Sequence, residues 1–207
     1  MDAQSTVDYI LRRFALKIED GMKMPIDIFT ATRADLAELF AELDLRSGAE
    51  IGVERGHYSK TLLKPNPNLT LHLVDAWKAY RGYRDHVTQS KMDGFYEEAQ
   101  ERLRDYPVVF HRGFSMDVVQ RFSPGQLDFV YIDGNHSFDW VMLDIIEWSK
   151  KVRSGGIVSG HDFIRRLREP VHVIKATCVY TEAHKIRPWF TVGGATKETR
   201  SWFWVKP

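Results

Sequence analysis

Two successive apolar runs in this 207-residue sequence are each followed by an acid and a histidine. Asp133 and His136 follow the first run, and His161 and Asp162 follow the second. Because neighbouring parallel strands end at the same edge of a sheet, we expect these four side chains to converge. Imidazole accepts a proton from a hydroxyl group, and carboxylate oxygens bind hard divalent cations. The pattern therefore predicts a reactive or cation-binding site at this edge of the sheet, with a histidine base or a metal as the candidates.

A glycine turn follows an earlier predicted strand, in the sequence GAEIGVERGHYS. Gly52 lets the backbone approach a ligand, and Gly56 relieves crowding where the next helix begins. The dinucleotide-binding pattern Gly-x-Gly-x-x-Gly is not met, and a pyrophosphate would meet the like charges of Glu50 and Glu54. Asp75 ends the next strand, about twenty residues on, where an acid can accept hydrogen bonds from a ribose diol. Together these residues predict a nucleoside ligand with little phosphate.

Each of these residues also has an ordinary structural explanation. Asp75 is at a position where a turn cap is common, and Asn135 or Ser137 can cap the helix that follows. His136 can hydrogen-bond a loop carbonyl, and His161 can bridge loops. Four titratable or metal-ligating groups at two strand ends favour the functional interpretation.

The elements that must position these residues follow from hydrophobic periodicity. Apolar residues at helical spacing predict two helices within residues 1–47, joined by a loop that carries Gly21 and Pro25. From residue 48 to 207, short apolar strands alternate with helices, which predicts one α/β domain whose mostly parallel sheet is covered on both faces. The runs RPWFTVGG and TRSWFWVKP predict a C-terminal antiparallel hairpin.

Composition excludes several classes of protein. A formal net charge of +1 gives no reason to expect nucleic acid or an anionic membrane surface as a partner. The single cysteine, Cys178, excludes a disulfide framework and a thiolate-rich metal site. No apolar run reaches the ~18 residues of a membrane-spanning helix, and the first residues do not have the pattern of a signal peptide. We therefore expect a cytoplasmic protein.

Five segments resemble class I S-adenosylmethionine-dependent methyltransferases, most of all small-molecule O-methyltransferases of the macrocin and cephamycin pathways. In chain order they are EIGVERGHYS, LVDAW, HRGFSMD, DFVYIDGNHSFDWVMLDI and SGGIVSGHDF. The resemblance covers residues 48–163, and SWFWVKP is similar to the last antiparallel strand of that family. It implies a doubly wound, Rossmann-like sheet of seven strands, preceded here by an N-terminal helical extension, and it is compatible with a homodimer.

The resemblance also assigns roles to individual residues. The methionine and ribose parts of S-adenosylmethionine would contact the glycine turn, its carboxylate the start of the next helix, its ribose hydroxyls Asp75, and its adenine the end of the third strand of the domain. The implied cofactor-binding residues are Glu50, Gly52, Gly56, Tyr58, Ser59, Asp75, Gly113, Phe114, Ser115 and Asp133.

The reacting hydroxyl would lie beside Asp133 and His161, which we predict as the catalytic residues. In metal-dependent relatives, acids at the same two strand ends hold the ion. Three arrangements remain open: a Mg²⁺ site made by Asp133, Asp162 and waters; a softer site that includes His161 or His136; and no metal, with His161 as the base. We favour Asp133 and Asp162 beside a metal, with His161 as a further ligand or close to the hydroxyl.

The leading functional hypothesis is methylation of a hydroxyl group on a small molecule such as a sugar or natural product. A nucleotide-dependent oxidoreductase is the first alternative, although the missing third glycine and the lack of a Tyr-x-x-x-Lys pair count against it. A catalytically silent cofactor-binding protein is the second. Aromatic residues of the connection after Asp75 either cover the ligand or pack down: Trp77, Tyr80 and Tyr83. Five other tryptophans are expected in the core or the hairpin: Trp140, Trp148, Trp189, Trp202 and Trp204.

Overall fold

The computed structural model describes residues 1–80, 88–165, 171–194 and 199–207. The helices are α1 (Ala3–Arg13), α2 (Arg33–Glu42), α3 (His57–Leu63), α4 (Gln89–Leu103), α5 (Ser115–Val118), α6 (Phe138–Ser149) and α7 (Val173–Ala183), with a short 3-10 helix at Val119–Arg121. The strands are β1 (Ile26–Ile28), β2 (Ser47–Ile51), β3 (Thr70–Asp75), β4 (Val108–Arg112), β5 (Leu127–Ile132), β6 (Val152–Gly160), β7 (Trp189–Val192) and β8 (Ser201–Val205).

All eight strands form one sheet in the order β1-β7-β8-β6-β5-β2-β3-β4. Strand β8 is antiparallel to both of its neighbours, whereas the other paired strands are parallel. This confirms the mostly parallel, doubly wound α/β sheet with an antiparallel C-terminal hairpin strand. The eighth strand, β1, was expected to be a loop. It has only three residues, too few to show a periodic pattern, and it is a strand because it pairs with β7.

The sheet is buried on both faces, as its continuous apolar strands predicted. Along β5, Phe129 and Tyr131 belong to one apolar cluster, while Val130 and Ile132 belong to the other. Successive side chains of a strand point to opposite faces, so the two clusters lie on the two sides of the sheet. The four buried tryptophans of the second cluster confirm the prediction for their positions: Trp148, Trp189, Trp202 and Trp204.

The first 47 residues pack onto the sheet through α1, β1 and α2. The Thr6 hydroxyl donates a hydrogen bond of 2.9 Å to the carbonyl oxygen of Gly155, at the bend of β6. The start of α2 is fixed by a capping box, in which Thr32 and Asp35 satisfy each other's backbone N–H groups. Arg33 is therefore held at the first turn of α2. Among the helices of the described residues, none is long and apolar enough to cross a membrane.

Candidate active site

A cavity of about 580 Å³ opens at the carboxyl ends of β2, β3, β4 and β5. Its volume lies within the usual range for small-molecule sites. Gly56 and Ser59 lie outside its lining, because Gly56 begins α3 against Leu103 and Ser59 is fully buried behind Glu50. The other predicted cofactor residues line it: Glu50, Gly52, Tyr58, Asp75, Gly113, Phe114, Ser115 and Asp133.

Gly52 has to be a glycine in this structure. Its φ of 89° is in the left-handed region, and a Cβ atom would lie 2.1 Å from the carbonyl oxygen of Asp133. The missing side chain lets the end of β2 contact the loop after β5. The glycine turn therefore brings Glu50 and Asp133 to the same cavity.

The Asp75 carboxylate holds this turn in place. Its Oδ2 accepts hydrogen bonds of 2.9 Å from the backbone N–H groups of Val53 and Glu54, and its Oδ1 accepts one of 2.8 Å from Trp77 N–H. Oδ2 thus uses both of its lone pairs, whereas Oδ1 keeps one that can accept a hydrogen bond from a ligand hydroxyl. Asp75 thus has the capping role that the sequence allowed, and its role in ribose binding stays a prediction.

Glu50 is a buried carboxyl group at the inner end of the cavity, with 1% of its surface exposed. The Ser59 hydroxyl donates a hydrogen bond to it. Burial raises the pKa of Glu50 to about 8, and the nearby charges of Asp133 and Asp75 act in the same direction. A cationic group placed beside Glu50 would stabilise its ionised form.

Arg33 also lines this end of the cavity, and the sequence analysis missed it. Its guanidinium carbon lies 5.1 Å from the ring centre of Tyr58, and its backbone carbonyl accepts a 3.1 Å hydrogen bond from the Tyr58 hydroxyl. Both hydroxyls that were predicted to hold a cofactor carboxylate, those of Tyr58 and Ser59, are thus engaged with protein groups. No motif surrounds Arg33, so no sequence signal marked it.

Elsewhere in the cavity lining, Ser115 is fixed by two buried partners. Trp148 Nε1 donates a 2.7 Å hydrogen bond to Ser115 Oγ, and Ser115 in turn donates to Asp144. Burial raises the pKa of Asp144 to about 7. Asp144 lines the cavity and was not predicted, although an acid on the apolar face of the helical run WVMLDIIEW was a usable signal.

The aromatic residues around the cavity show that one prediction was wrong, at Trp140, and decide between two alternatives at Trp77. Trp140 was expected in the core, but it is half-buried and lines the cavity with Tyr80 and Phe114, whose ring centres lie 6.0 and 6.4 Å from its own. Trp140 lies in the first turn of α6, next to the loop that follows β5, and not on the part of the helix that packs on the sheet. Trp77 is packed down, with its ring 4.7 Å from that of Tyr96 and its Nε1 donating to a backbone carbonyl. Tyr83 lies outside the described residues.

The four acid and histidine side chains of the two strand ends converge, as their positions predicted. His136 Nε2 lies 2.8 Å from Asp162 Oδ2 and 3.8 Å from Asp133 Oδ1. His161 Nδ1 lies 3.5 Å from Asp133 Oδ2 and 3.8 Å from Asp162 Oδ2. Two carboxylates and two imidazoles therefore form one cluster, which we call the acid-histidine cluster.

Only two members of the acid-histidine cluster line the cavity, Asp133 and His136. His161 lies behind them, with Nε2 contacting the carbonyl oxygen of Thr199 at 3.1 Å and the Thr199 hydroxyl at 2.9 Å. Asp162 is buried and has a φ of 53°. The imidazole that faces the cavity is thus that of His136, and the catalytic role of His161 stays a prediction.

The charges of the acid-histidine cluster compensate one another. Burial alone would lower the pKa of His136, but Asp133 and Asp162 outweigh it and raise this pKa to about 10. Burial likewise opposes protonation of His161, and Asp133 and Asp162 again raise its pKa. The proton of His136 therefore compensates part of the carboxylate charge of the cluster.

The same cluster has the donor set of a cation site. Among the described residues, Asp133, His136 and Asp162 each offer one ligand atom, and these atoms lie within 4.8 Å of one another. His161, predicted as a third ligand, is not in this group. Two carboxylate oxygens and one imidazole nitrogen fit a divalent ion, and the nitrogen favours a transition metal over Mg²⁺. Binding would require His136 to lose its proton.

A family model described as a methyltransferase domain matches residues 49–163. Among curated proteins, none matches the sequence. An O-methyltransferase from Bacillus cereus in complex with SAH is 15% identical, with a TM-score of 0.60 over 98% of this chain and 91% of that one. The O-methyltransferase TomG from Streptomyces achromogenes, involved in tomaymycin synthesis and solved with SAM, is 18% identical, with a TM-score of 0.59 over 100% and 91%. The N-methyltransferase NodS from Bradyrhizobium japonicum WM9 is 15% identical, with a TM-score of 0.56 over 84% and 94%.

Proposed function

This chain belongs to the methyltransferase-domain family, and from that premise we propose that it transfers a methyl group from S-adenosylmethionine (SAM) to a hydroxyl group of a small molecule. The O-methyltransferases among the similar structures support an oxygen acceptor, such as a hydroxyl of a sugar or natural product.

The observation that carries the proposal is the composition of the cavity wall. Eight of the ten residues predicted to bind the cofactor line one cavity. Glu50 and Asp75 sit at either side of the glycine turn, and neither neighbours a phosphate-binding motif. Carboxyl groups at these two positions suit a cationic nucleoside without phosphate, which describes SAM.

In this mechanism the protein aligns two reactants and holds a proton. SAM supplies an electrophilic methyl group when it is bound. Asp75 holds the ribose hydroxyls, Ser115 and Phe114 border the adenine, and the cavity walls exclude water from the reacting atoms. Asp133 accepts the hydroxyl proton of the acceptor, since its carboxylate lines the cavity next to His136.

A divalent metal is the second way to activate the hydroxyl group. Asp133, Asp162 and His136 would hold such an ion, which would lower the pKa of the hydroxyl group. To test this, methyl transfer is measured in chelator and after adding back Mg²⁺ or Mn²⁺. A metal role predicts recovery with the added ion and weaker metal binding in Asp162→Asn; equal activity in chelator and in metal would remove the metal from the mechanism.

The first test of the proposed function is calorimetric titration with S-adenosylhomocysteine (SAH), with NAD as the control ligand. Micromolar binding of SAH without binding of NAD supports the proposal, and the reverse would support an oxidoreductase. Incorporation of label from methyl-labelled SAM into hydroxylated small molecules then tests turnover. SAH binding without turnover on any acceptor would indicate a silent cofactor-binding protein.

Asp133→Ala is expected to remove most methyl transfer while SAH still binds. Asp139→Ala is the matched control, because Asp139 is an exposed carboxylate in the first turn of α6 and does not line the cavity. Full activity of the Asp133 variant would contradict its role at the acceptor hydroxyl.

A further inference from the structure

The cavity end that holds Glu50 combines groups of both charge types. Glu50 lies on β2, and Arg33 comes from the start of α2, in the N-terminal part of the chain that the family model does not cover. Both residues line the cavity, and so does Tyr58 of α3, whose ring and hydroxyl contact Arg33. An amino-acid group carries an ammonium and a carboxylate on one carbon, so an acid and an arginine at one cavity end fit its two charges.

The hydroxyls nearest to this end do not offer their protons to a ligand. The Tyr58 hydroxyl donates to the backbone carbonyl of Arg33 at 3.1 Å, and the Ser59 hydroxyl donates to Glu50. Helix α3 has seven residues, and its N-cap is Gly56, which supplies no side-chain oxygen. A carboxylate at this end therefore requires another partner, and a guanidinium group provides paired N–H donors in the geometry that a carboxylate accepts.

The position of Arg33 is fixed by three separate contacts. The capping box of Thr32 and Asp35 sets the first turn of α2. The Tyr58 hydroxyl holds the Arg33 carbonyl, and the guanidinium lies 5.1 Å from the centre of the Tyr58 ring. A guanidinium that packs on an aromatic ring loses less conformational freedom on binding a ligand than a solvated one.

The charge of Arg33 acts on the groups around the reaction site. Burial is the main cause of the raised pKa of Glu50 and of Tyr58, and the Arg33 charge opposes it in both. The same charge opposes the carboxylates that raise the pKa of His161. The other cavity-lining cations that have described contacts pack elsewhere: Arg55 and Lys91 on the Phe95 ring, and Lys78 near the Phe114 ring.

We propose that Arg33 binds the carboxylate of the methionine moiety of SAM and SAH, while Glu50 lies beside the ammonium group. This inference rests on the proposed function, since it assigns a partner to one group of that cofactor. It gives the N-terminal segment a direct part in cofactor binding and makes Arg33, rather than Tyr58 or Ser59, the residue that distinguishes a complete amino-acid end from a truncated one.

The test compares three ligands by calorimetric titration. SAH carries the whole amino-acid end, S-adenosyl-3-thiopropylamine lacks only the carboxylate, and 5′-deoxy-5′-methylthioadenosine lacks the whole end. Arg33→Met keeps the aliphatic packing on Tyr58 and removes the charge, and Arg33→Lys restores a single positive charge. Lys91→Met is the matched control, because it removes a cavity-lining cation from the Phe95 side.

Arg33→Met is expected to weaken SAH binding about 10- to 100-fold, the usual effect of losing a hydrogen-bonded charge pair, and to leave the other two ligands within about twofold. Arg33→Lys should recover part of the loss. Lys91→Met should change the affinity for all three ligands by the same factor.

Three outcomes would overturn the inference. If Arg33→Met weakens the binding of all three ligands equally, Arg33 only supports the cavity wall. If SAH binding is unchanged, Arg33 either contacts the acceptor or has no role in binding. Equal binding of SAH and the thiopropylamine by the unaltered protein would overturn it without any variant. If the unaltered protein binds none of the three ligands, the proposed function itself fails, which separates the two failures.

Discussion

The buried carboxyl group of Glu50 should make the protein less stable than it would be with an uncharged side chain there. Its pKa is raised from 4.5 to about 8, mainly because burial disfavours the charged form. The folded state therefore retains a proton that the unfolded state releases near pH 4.5. Stability is highest below pH 4.5 on this account, and it falls as the pH rises until the folded-state pKa near 8 is passed.

Glu50→Gln removes this pH dependence and keeps an oxygen that can accept the Ser59 hydrogen bond. At pH 7 the raised pKa corresponds to ~3 kcal/mol of lost stability at 1.36 kcal/mol per unit. The variant should thus unfold at a urea concentration ~1 M higher at pH 7, and at nearly the same concentration as the unaltered protein at pH 4.5. Because the neutral amide cannot form an ion pair with an ammonium group, SAH should bind the variant ~10-fold more weakly.

Urea unfolding at pH 4.5, 6, 7 and 8 measures the effect, and calorimetry with SAH measures the loss of binding. Glu101→Gln is the matched control, because Glu101 is exposed on α4. Its stability difference from the unaltered protein should not change with pH. A Glu50 variant whose stability relative to the unaltered protein does not increase from pH 4.5 to pH 7 would refute the reasoning.

Two further variants test a close backbone contact and a pair of histidines. Gly52→Ala should destabilise the protein by at least ~2 kcal/mol and abolish SAH binding, because its Cβ would clash with the Asp133 carbonyl. Gly21 has a similar positive φ of 79° with open space around it, so Gly21→Ala measures the cost of the backbone conformation alone, and equal urea midpoints for the two variants would contradict the clash. His72 and His111 lie 3.1 Å apart with pKa values lowered mainly by burial, so stability should fall as pH drops below 6.5, and thermal melts of His72→Gln should show a smaller loss between pH 7 and pH 5.

The cavity wall could largely be predicted because its signals are local. A glycine with positive φ, an acid at a strand end, and a Gly-Phe-Ser turn each occupy positions set by the strand that precedes them. The topology then brings parallel strand ends to one edge without further information. Gly52 and Asp75 were found in this way.

Residues placed by tertiary contacts could not be predicted in this way. Arg33 reaches the cavity because a capping box starts α2 beside Tyr58, two segments far apart in the sequence. In the sequence, His136 and His161 looked equally able to face the cavity. In the structure the chain turns at Asp162, which has a φ of 53°, and the His161 ring contacts Thr199 instead. His136 lies in the loop between β5 and α6 and lines the cavity.

The short edge strand β1 has a consequence for local opening of the fold. Its Asp27 accepts a hydrogen bond from Thr191 of β7, 164 positions later in the chain, and forms a 3.2 Å ion pair with Arg200. Contacts between such distant segments form late in folding, because closing the long intervening chain costs entropy. A strand of three residues makes few contacts to offset that cost. We expect the amides of β1 to exchange with solvent far faster than those of β5. Strand β1 would then separate from β7 while the central strands stay folded.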